Sequence, residues 1–287
     1  MQNENFKICN LHFAFCIVRV KGQMRLTPVR MLEECFWGEV PAGFKRFSPE
    51  PRQTALVRQG LERWLDPARF FAWGLGPSGE SALRGRERLC LLHLGNGETA
   101  LVRRYSHGGF FRGLTGDLFF TWPPRPFREV AVTLEVGRRG VPTVEVLGAW
   151  VERVRGPFYR GWLITGELQG AMDLWEALRG ESFTASERSM LLEAAAWSVK
   201  QMHRKGIYHG DLNLKNIVVR REGDRFAGYI IDLDKARLFP REVSAYRSRR
   251  NLDRLLRSAR KLDPERRHLS AQAWDRFLRS YQEATAG

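Results

Sequence analysis

Two apolar runs of strand length, Leu89–Leu94 and Thr99–Tyr105, flank Gly95-Asn96-Gly97. An Asn-Gly step accepts the positive φ angles of a tight turn, so the pair predicts a β-hairpin, and a β-rich region is expected to open here. Pro123, Pro124 and Pro126 then interrupt the chain. Phe127–Val136 follows with helix-compatible spacing, opening on Arg128 and Glu129 and stopping at Gly137. Strands are expected at Thr143–Val151 and Gly161–Thr165, with Gly166-Glu167-Leu168 as a linker. Beyond it the pattern turns helical, first over Asp173–Leu178 and then over Ser186–Lys205. Ser186 and Ser189 lie near the start of the long helix, and Gly206 fits its C-terminal cap.

Strands with one helix, a linker, and then mostly helices predict an α+β chain of two lobes. The β-rich N-lobe is expected over residues 37–166 and a short, mostly helical C-lobe over 167–287, with a ligand cleft between them. Residues 1–36 stand apart as an N-terminal extension of unknown role. Within it, Leu11–Val20 is apolar but interrupted by Arg19, and it is shorter than the ~20 residues that a bilayer requires. No small-residue cleavage site follows, which argues against a secretory signal, and Met24 is an alternative start.

With 287 residues and 43% hydrophobic content, the chain can bury a large core or two modest ones. Lysine plus arginine total 47 against 32 acids, a net charge of +15. That balance attracts an anionic partner: nucleic acid, an acidic membrane face or a phosphorylated substrate. Cys9, Cys16, Cys35 and Cys90 form no CxxC pair, which disfavours a zinc site or a disulfide framework and suits a reducing compartment.

The chemistry is concentrated after the long helix. His209-Gly210-Asp211-Leu212-Asn213-Leu214-Lys215-Asn216 precedes an apolar strand, Ile217–Val219, and matches the catalytic-loop pattern of kinases. In that chemistry one carboxylate faces the attacking hydroxyl, and an amide oxygen on the same loop reaches a metal ion on the phosphates. Asp211 takes the first role and Asn216 the second, with Lys215 on the nucleotide side. Tyr229-Ile230-Ile231-Asp232-Leu233-Asp234 then puts a carboxylate after an apolar strand, where a kinase keeps its principal magnesium ligand. Either aspartate alone could be a turn residue. The order, the separation and the flanking strands of both together point to a protein-kinase-like phosphotransferase using ATP and Mg2+.

Such an enzyme also needs a cation on a strand, held by a carboxylate on the first helix, to cover the phosphates. Arg103 and Glu129 occupy those places, with Arg104 as the alternative on the opposite strand face. An arginine fork is not interchangeable with the usual lysine. Gly74-Leu75-Gly76-Pro77-Ser78-Gly79 fits GxGxxG, but it lies well before the strand it should enter. The phosphate-covering turn is expected instead at Arg84–Arg88, around Gly85.

These residues resemble the lipopolysaccharide core kinases, and among them the 3-deoxy-D-manno-octulosonic acid (Kdo) kinases. The resemblance rests on Leu101-Val102-Arg103-Arg104-Tyr105-Ser106-His107-Gly108-Gly109, Phe127-Arg128-Glu129, His209-Gly210-Asp211-Leu212-Asn213, Ile231-Asp232-Leu233-Asp234-Lys235 and Asn251-Leu252-Asp253-Arg254-Leu255. It covers residues 70–262, and in that family arginine at position 103 is ordinary. It implies ATP as donor and the 4-hydroxyl of a Kdo residue on a lipid A precursor as acceptor, at the cytoplasmic face of a Gram-negative inner membrane. Lys235 and Arg237, just after Asp232, are expected to bind this glycolipid acceptor, which carries a carboxylate and phosphates. Leu233 departs from the family's more frequent phenylalanine, and residues 1–36 have no counterpart.

Heptose kinases of the same wider family are the alternative reading. A protein kinase fits less well: no Ala-Pro-Glu follows Asp232, the remaining chain is too short for a peptide-docking subdomain, and Asp234 replaces a flexible glycine. The basic run between Arg247 and Arg267 could serve a pseudokinase or a nucleic-acid binder, or be a solvated helix face. In a glycolipid kinase it has another use. Leu252, Leu255, Leu256 and Leu262 give it an apolar side, and anionic headgroups attract such segments, so peripheral membrane contact is expected and nucleic acid is not.

Overall fold

The computed structural model describes residues 37–66, 89–106 and 116–283. Its N-terminal part is one antiparallel sheet of β1 (Phe44–Phe47), β2 (Gln53–Arg58), β3 (Leu89–His93), β4 (Thr99–Arg104), β5 (Val146–Arg155) and β6 (Phe158–Gly166), in spatial order β1-β2-β5-β6-β4-β3. The expected hairpin is present, with Leu91 opposite Leu101 across β3 and β4. The sheet nevertheless opens at Phe44, earlier than expected. Strand β1 reads Phe-Lys-Arg-Phe and the turn after it carries prolines, so neither a long apolar run nor an Asn-Gly step marked it.

Helix α1 (Arg125–Arg138) begins inside the proline cluster. Pro124 caps it and Pro126 lies in its first turn, where no intrahelical partner awaits the missing N–H. The prolines therefore start this helix as well as ending the preceding segment. Its Phe127 and Val130 pack with Tyr159 and Leu163 beneath the sheet. Val136, farther along, belongs instead to the C-terminal core with Val141 and Leu174. Arg139 extends the link, donating to the carbonyls of Lys205 at 2.8 Å and Phe239 at 2.7 Å.

After Glu167, whose N–H bonds to the Thr99 carbonyl at 3.0 Å, the chain enters the helical part. Strand β7 (Ala171–Asp173) leads into α2 (Leu174–Arg179), and α3 (Ala185–Arg204) follows. The cap of α3 is Thr184, not a serine: Thr184 and Glu187 form a reciprocal capping box, while Ser186 and Ser189 lie inside the helix. Gly206 ends it at φ +75°, where a Cβ would come within 2.4 Å of the Phe239 carbonyl oxygen. There β8 (Ile207–Tyr208) turns away and pairs with β11 (Arg237–Leu238). Strands β9 (Ile217–Glu222) and β10 (Arg225–Ile230) join β7 in a second sheet. Helices α4 (Ala245–Leu262) and α5 (Ala271–Glu283) close the chain.

Leu191, Ala195, Val199 and Met202 of α3 form the centre of this core with Leu178, Ile217, Ile230 and Phe277. The result is the expected α+β plan, a β-rich part followed by a helical part. One expectation changes. Leu255 of α4 is fully buried, and Leu252 and Leu262 pack on the same core, so three of the four leucines face inward, while Leu256 is half-buried and the outward side of α4 is mostly charged. Among the described residues no helix is long and apolar enough to cross a membrane.

Candidate active site

The loop after β8 is organised by its histidine. His209 is fully buried; its Nδ1 accepts from the Asp211 N–H at 3.1 Å, which leaves Nε2 to donate to the Ile231 carbonyl at 2.9 Å. That pattern fixes one neutral tautomer, and burial lowers the ring's pKa in the same sense. One imidazole thus ties Asp211 to the residue preceding Asp232. Gly210 allows the close approach, since a Cβ there would lie 2.3 Å from the Lys235 carbonyl oxygen.

The rest of the loop holds the Asp211 backbone. Its carbonyl accepts from the amides of Asn213 and Asn216, each at 2.9 Å. Asn216, so anchored through Nδ2, retains Oδ1 as its acceptor. Its own carbonyl receives the Ile231 N–H at 3.0 Å, a second tie between the two aspartate segments. Asp232 sits in the left-handed region, at φ +60° and ψ +61°, a conformation aspartate tolerates better than most residues.

Arg103 reaches across from β4. One terminal nitrogen donates to both Glu129 oxygens at 2.7 and 2.6 Å, and the other to Asp232 Oδ1 at 2.7 Å. Arg104 pairs instead with Asp117 and lies over Trp162. Burial raises the Asp232 carboxyl, but Arg103 outweighs it and the net shift is downward. Glu129 behaves oppositely: burial, with Asp232 and Asp234 nearby, raises it to about 7 despite Arg103. The two acids share one guanidinium, and the more deeply buried one keeps the weaker hold on its charge. Tyr105 donates its hydroxyl to Glu129 and completes that buried group.

A second pair was not read from the sequence. Arg125, at the first position of α1, donates through Nε to the Asp234 oxygens at 3.0 and 3.1 Å and pairs with it through Nη2 as well. Its guanidinium lies 4.7 Å from the Phe119 ring and 5.5 Å from that of Tyr105. Asp234 therefore anchors the start of α1 to the turn after Asp232.

Arg103, Arg104, Tyr105, Arg125, Asp211, Asp232, Asp234 and Lys235 line one cavity of about 190 Å³. A usual small-molecule site is larger, ~300–1,000 Å³, and mostly apolar, so this charged space suits phosphates better than a purine ring. Of the other expected residues, Lys215 is exposed near Asp173, and Arg237 is exposed and does not line the cavity. Arg237 lies on β11, beyond the turn that carries Lys235. Gly85 lies outside the described residues. No cluster of three or more His, Cys, Asp or Glu side chains suited to a metal occurs among the described residues. Magnesium needs no such cluster, because it takes one or two carboxylates plus phosphate and water oxygens, and the donor set of Asp232 and Asn216 Oδ1 fits that habit.

A model of the lipopolysaccharide kinase (Kdo/WaaP) family matches residues 81–281. The chain belongs to that family. It is a kinase, and its family works in lipopolysaccharide biosynthesis. Among curated relatives, 3-deoxy-D-manno-octulosonic acid kinase of Pasteurella multocida (strain Pm70) is 29% identical over 238 residues, 82% of this chain and 92% of the relative. The protein of that name from Vibrio vulnificus (strain CMCP6) is 31% identical over 57% of this chain, a match spanning 66% of the relative. That from Xylella fastidiosa (strain 9a5c) is 32% identical over 58% of this chain and 64% of the relative. A solved structure described as WaaP in complex with acyl carrier protein shares the fold, with a TM-score of 0.52 at 20% identity over 79% of this chain and 88% of that one.

In this lipopolysaccharide kinase Arg125 and Asp234 line the cavity, and Asn251 and Arg254 bond the His209–Asp211 segment, placements that motif spacing did not foretell. For Asn251 and Arg254 the signal lay in the Asn251-Leu252-Asp253-Arg254 segment: they stand one helical turn apart on α4, and both reach the His209–Asp211 segment.

Proposed function

We propose that this kinase transfers the γ-phosphoryl group of ATP to the 4-hydroxyl of a Kdo residue on a lipid A precursor, with Asp211 as the group that receives the hydroxyl proton. The observation that supports the reaction type is the tie that buried His209 makes between Asp211 and the Ile231–Asp232 segment at one charged cavity, where Arg103 pairs with both Asp232 and Glu129. The choice of acceptor is supported by the names of the relatives.

In this reading Asp211 orients the attacking hydroxyl and takes its proton late, because a loose transition state asks little early activation of the nucleophile. Arg103 places charge over the phosphates and Glu129 sets its direction. Asp232 and Asn216 would hold Mg2+, which when bound neutralises charge on the phosphates. Lys215 lies at the exposed margin of the loop, and its nucleotide role is the least supported by position. Lys235 serves the acceptor side, whereas the place of Arg237 gives it no support there. The outward charge of α4 supports electrostatic contact with the anionic cytoplasmic face of a Gram-negative inner membrane, without insertion of the helix.

Purified protein incubated with ATP, Mg2+ and either Kdo-bearing or heptose-bearing lipid A should add one phosphate to the Kdo-bearing acceptor, read by product mass and fragmentation. Phosphate found only on heptose would overturn the choice of acceptor while keeping the chemistry.

A further inference from the structure

Asp211 is flanked by cations on both sides. Arg254 Nη1 lies 3.3 Å from Oδ1, and Lys235 Nζ lies 3.7 Å from Oδ2. Lys235 is also part of the cavity lining, but Arg254 is not, so it approaches Asp211 from outside the phosphate cavity. Its side chain is 38% exposed, and a guanidinium with one nitrogen on Asp211 keeps further donors in a fixed plane.

The position of Arg254 is built. Three residues earlier on the same helix, fully buried Asn251 accepts from the His209 N–H at 3.2 Å, donates to the His209 carbonyl at 2.7 Å and bonds His203 Nε2 at 3.0 Å. One turn later, Ser258 accepts from the Leu214 N–H at 3.4 Å. Asn251, Arg254 and Ser258 share one face of α4, as positions three and four apart do, and that face grips the catalytic loop. Meanwhile Asn213, two residues after Asp211, spends its amide on the loop backbone and directs no charge outward. Arg254 of α4 thus brings a cation to Asp211 from outside the cavity, opposite to Lys235.

We propose that Arg254 determines acceptor specificity, binding an anionic carboxylate on the acceptor sugar beside the hydroxyl that Asp211 receives. This rests on the Kdo-kinase reading above and extends it to the group that is recognised. A planar fork on a carboxylate is the pairing in which arginine exceeds lysine. Arg103, on the cavity wall, already gives the γ-phosphoryl end its own cation.

The test combines Arg254→Gln and Arg254→Lys with two acceptors, Kdo-bearing lipid A and the same glycolipid with the Kdo carboxyl reduced to an alcohol. On the native acceptor Arg254→Gln should raise the acceptor KM by about 10- to 100-fold, the range of a charge-assisted hydrogen bond, with the ATP KM within about twofold. Wild type should lose a similar factor on the reduced acceptor, and Arg254→Gln should lose nothing further there. Arg254→Lys should fall between, and it carries the test if the glutamine variant folds poorly. Losses that multiply, so that the variant is as sensitive to carboxyl reduction as wild type, would overturn the assignment and leave Arg254 as an orienting partner of Asp211. Absence of wild-type transfer to either acceptor, with ATP turnover intact on a heptose acceptor, would instead refute the Kdo reading and this proposal with it.

Discussion

Replacing Glu129 by glutamine should expose a pH dependence that the wild-type protein conceals. Burial, reinforced by Asp232 and Asp234 and opposed by Arg103, raises the Glu129 carboxyl from 4.5 to about 7. Between those values the folded chain holds a proton that the unfolded chain has released, so this group's stabilisation falls as pH rises through the window. His203 acts in the opposite sense. Burial, opposed by Asn251, lowers its ring from 6.5 to about 4, so over that span the unfolded chain holds the extra proton and stability rises with pH. The windows overlap, and each group contributes a slope of at most about 1.4 kcal/mol per pH unit there. In wild type the Glu129 slope partly offsets those of His203 and of His209, which burial also lowers. In Glu129→Gln the opposing Glu129 slope is gone and the histidine slopes stand unopposed by it, so the stability of the variant relative to wild type should climb by about 2 kcal/mol across the overlap. Urea unfolding at several pH values, with the m-value checked for constancy, reads this directly. Parallel curves for the two proteins would refute the assignment of a raised Glu129. A mirrored change in His203→Gln would confirm the offset.

Asn251→Ala removes three hydrogen bonds to buried His203 and His209 and should lower stability by about 2–4 kcal/mol in the same urea assay; a loss under about 1 kcal/mol would mean that α4 does not hold the loop. Arg125→Ala should cost about 3–5 kcal/mol by stranding buried Asp234, and an Arg125→Met, Asp234→Leu double variant should lose less than the single one. Equal or additive losses would contradict the buried pair. Asp232→Ala should abolish Mg-ATP turnover, seen as loss of coupled phosphate transfer at millimolar magnesium, and near-normal turnover would reassign that carboxylate.

Much of this arrangement was legible in local pattern. The hairpin around Asn96, the long helix ending at Gly206, and the spacing of His209, Asp211, Asn216 and Asp232 are carried by residues near one another in sequence. Their chemistry demands particular residue types, so they announce themselves. The Arg103–Glu129 pair could be placed because a kinase requires a cation and a carboxylate in those elements. What escaped was long-range. Arg125 and Asp234 meet across more than a hundred residues, and nothing local distinguishes Arg125 from other arginines in a basic chain. Arg254 looked like one member of a charged helix face until the packing of Leu255 and Asn251 turned its side of α4 toward Asp211. The same packing took the apolar side of α4 away from a membrane. Strands β1 and β2 escaped because β1 is short and charge-bearing and the apolar run of β2 is only three residues long, and such segments become strands through the neighbours they pair with.

The catalytic assignment of Asp211 is tested most directly by transfer from ATP to Kdo-bearing lipid A under single-turnover conditions, comparing wild type with Asp211→Asn, alongside ATP affinity for both. The asparagine keeps the size of the side chain but cannot accept the proton. Phosphoryl transfer should slow by about 10²- to 10⁴-fold while ATP affinity changes little, because the role proposed for Asp211 is on the acceptor hydroxyl. An Asp211→Asn enzyme that transfers phosphate as fast as wild type would contradict the account at its centre.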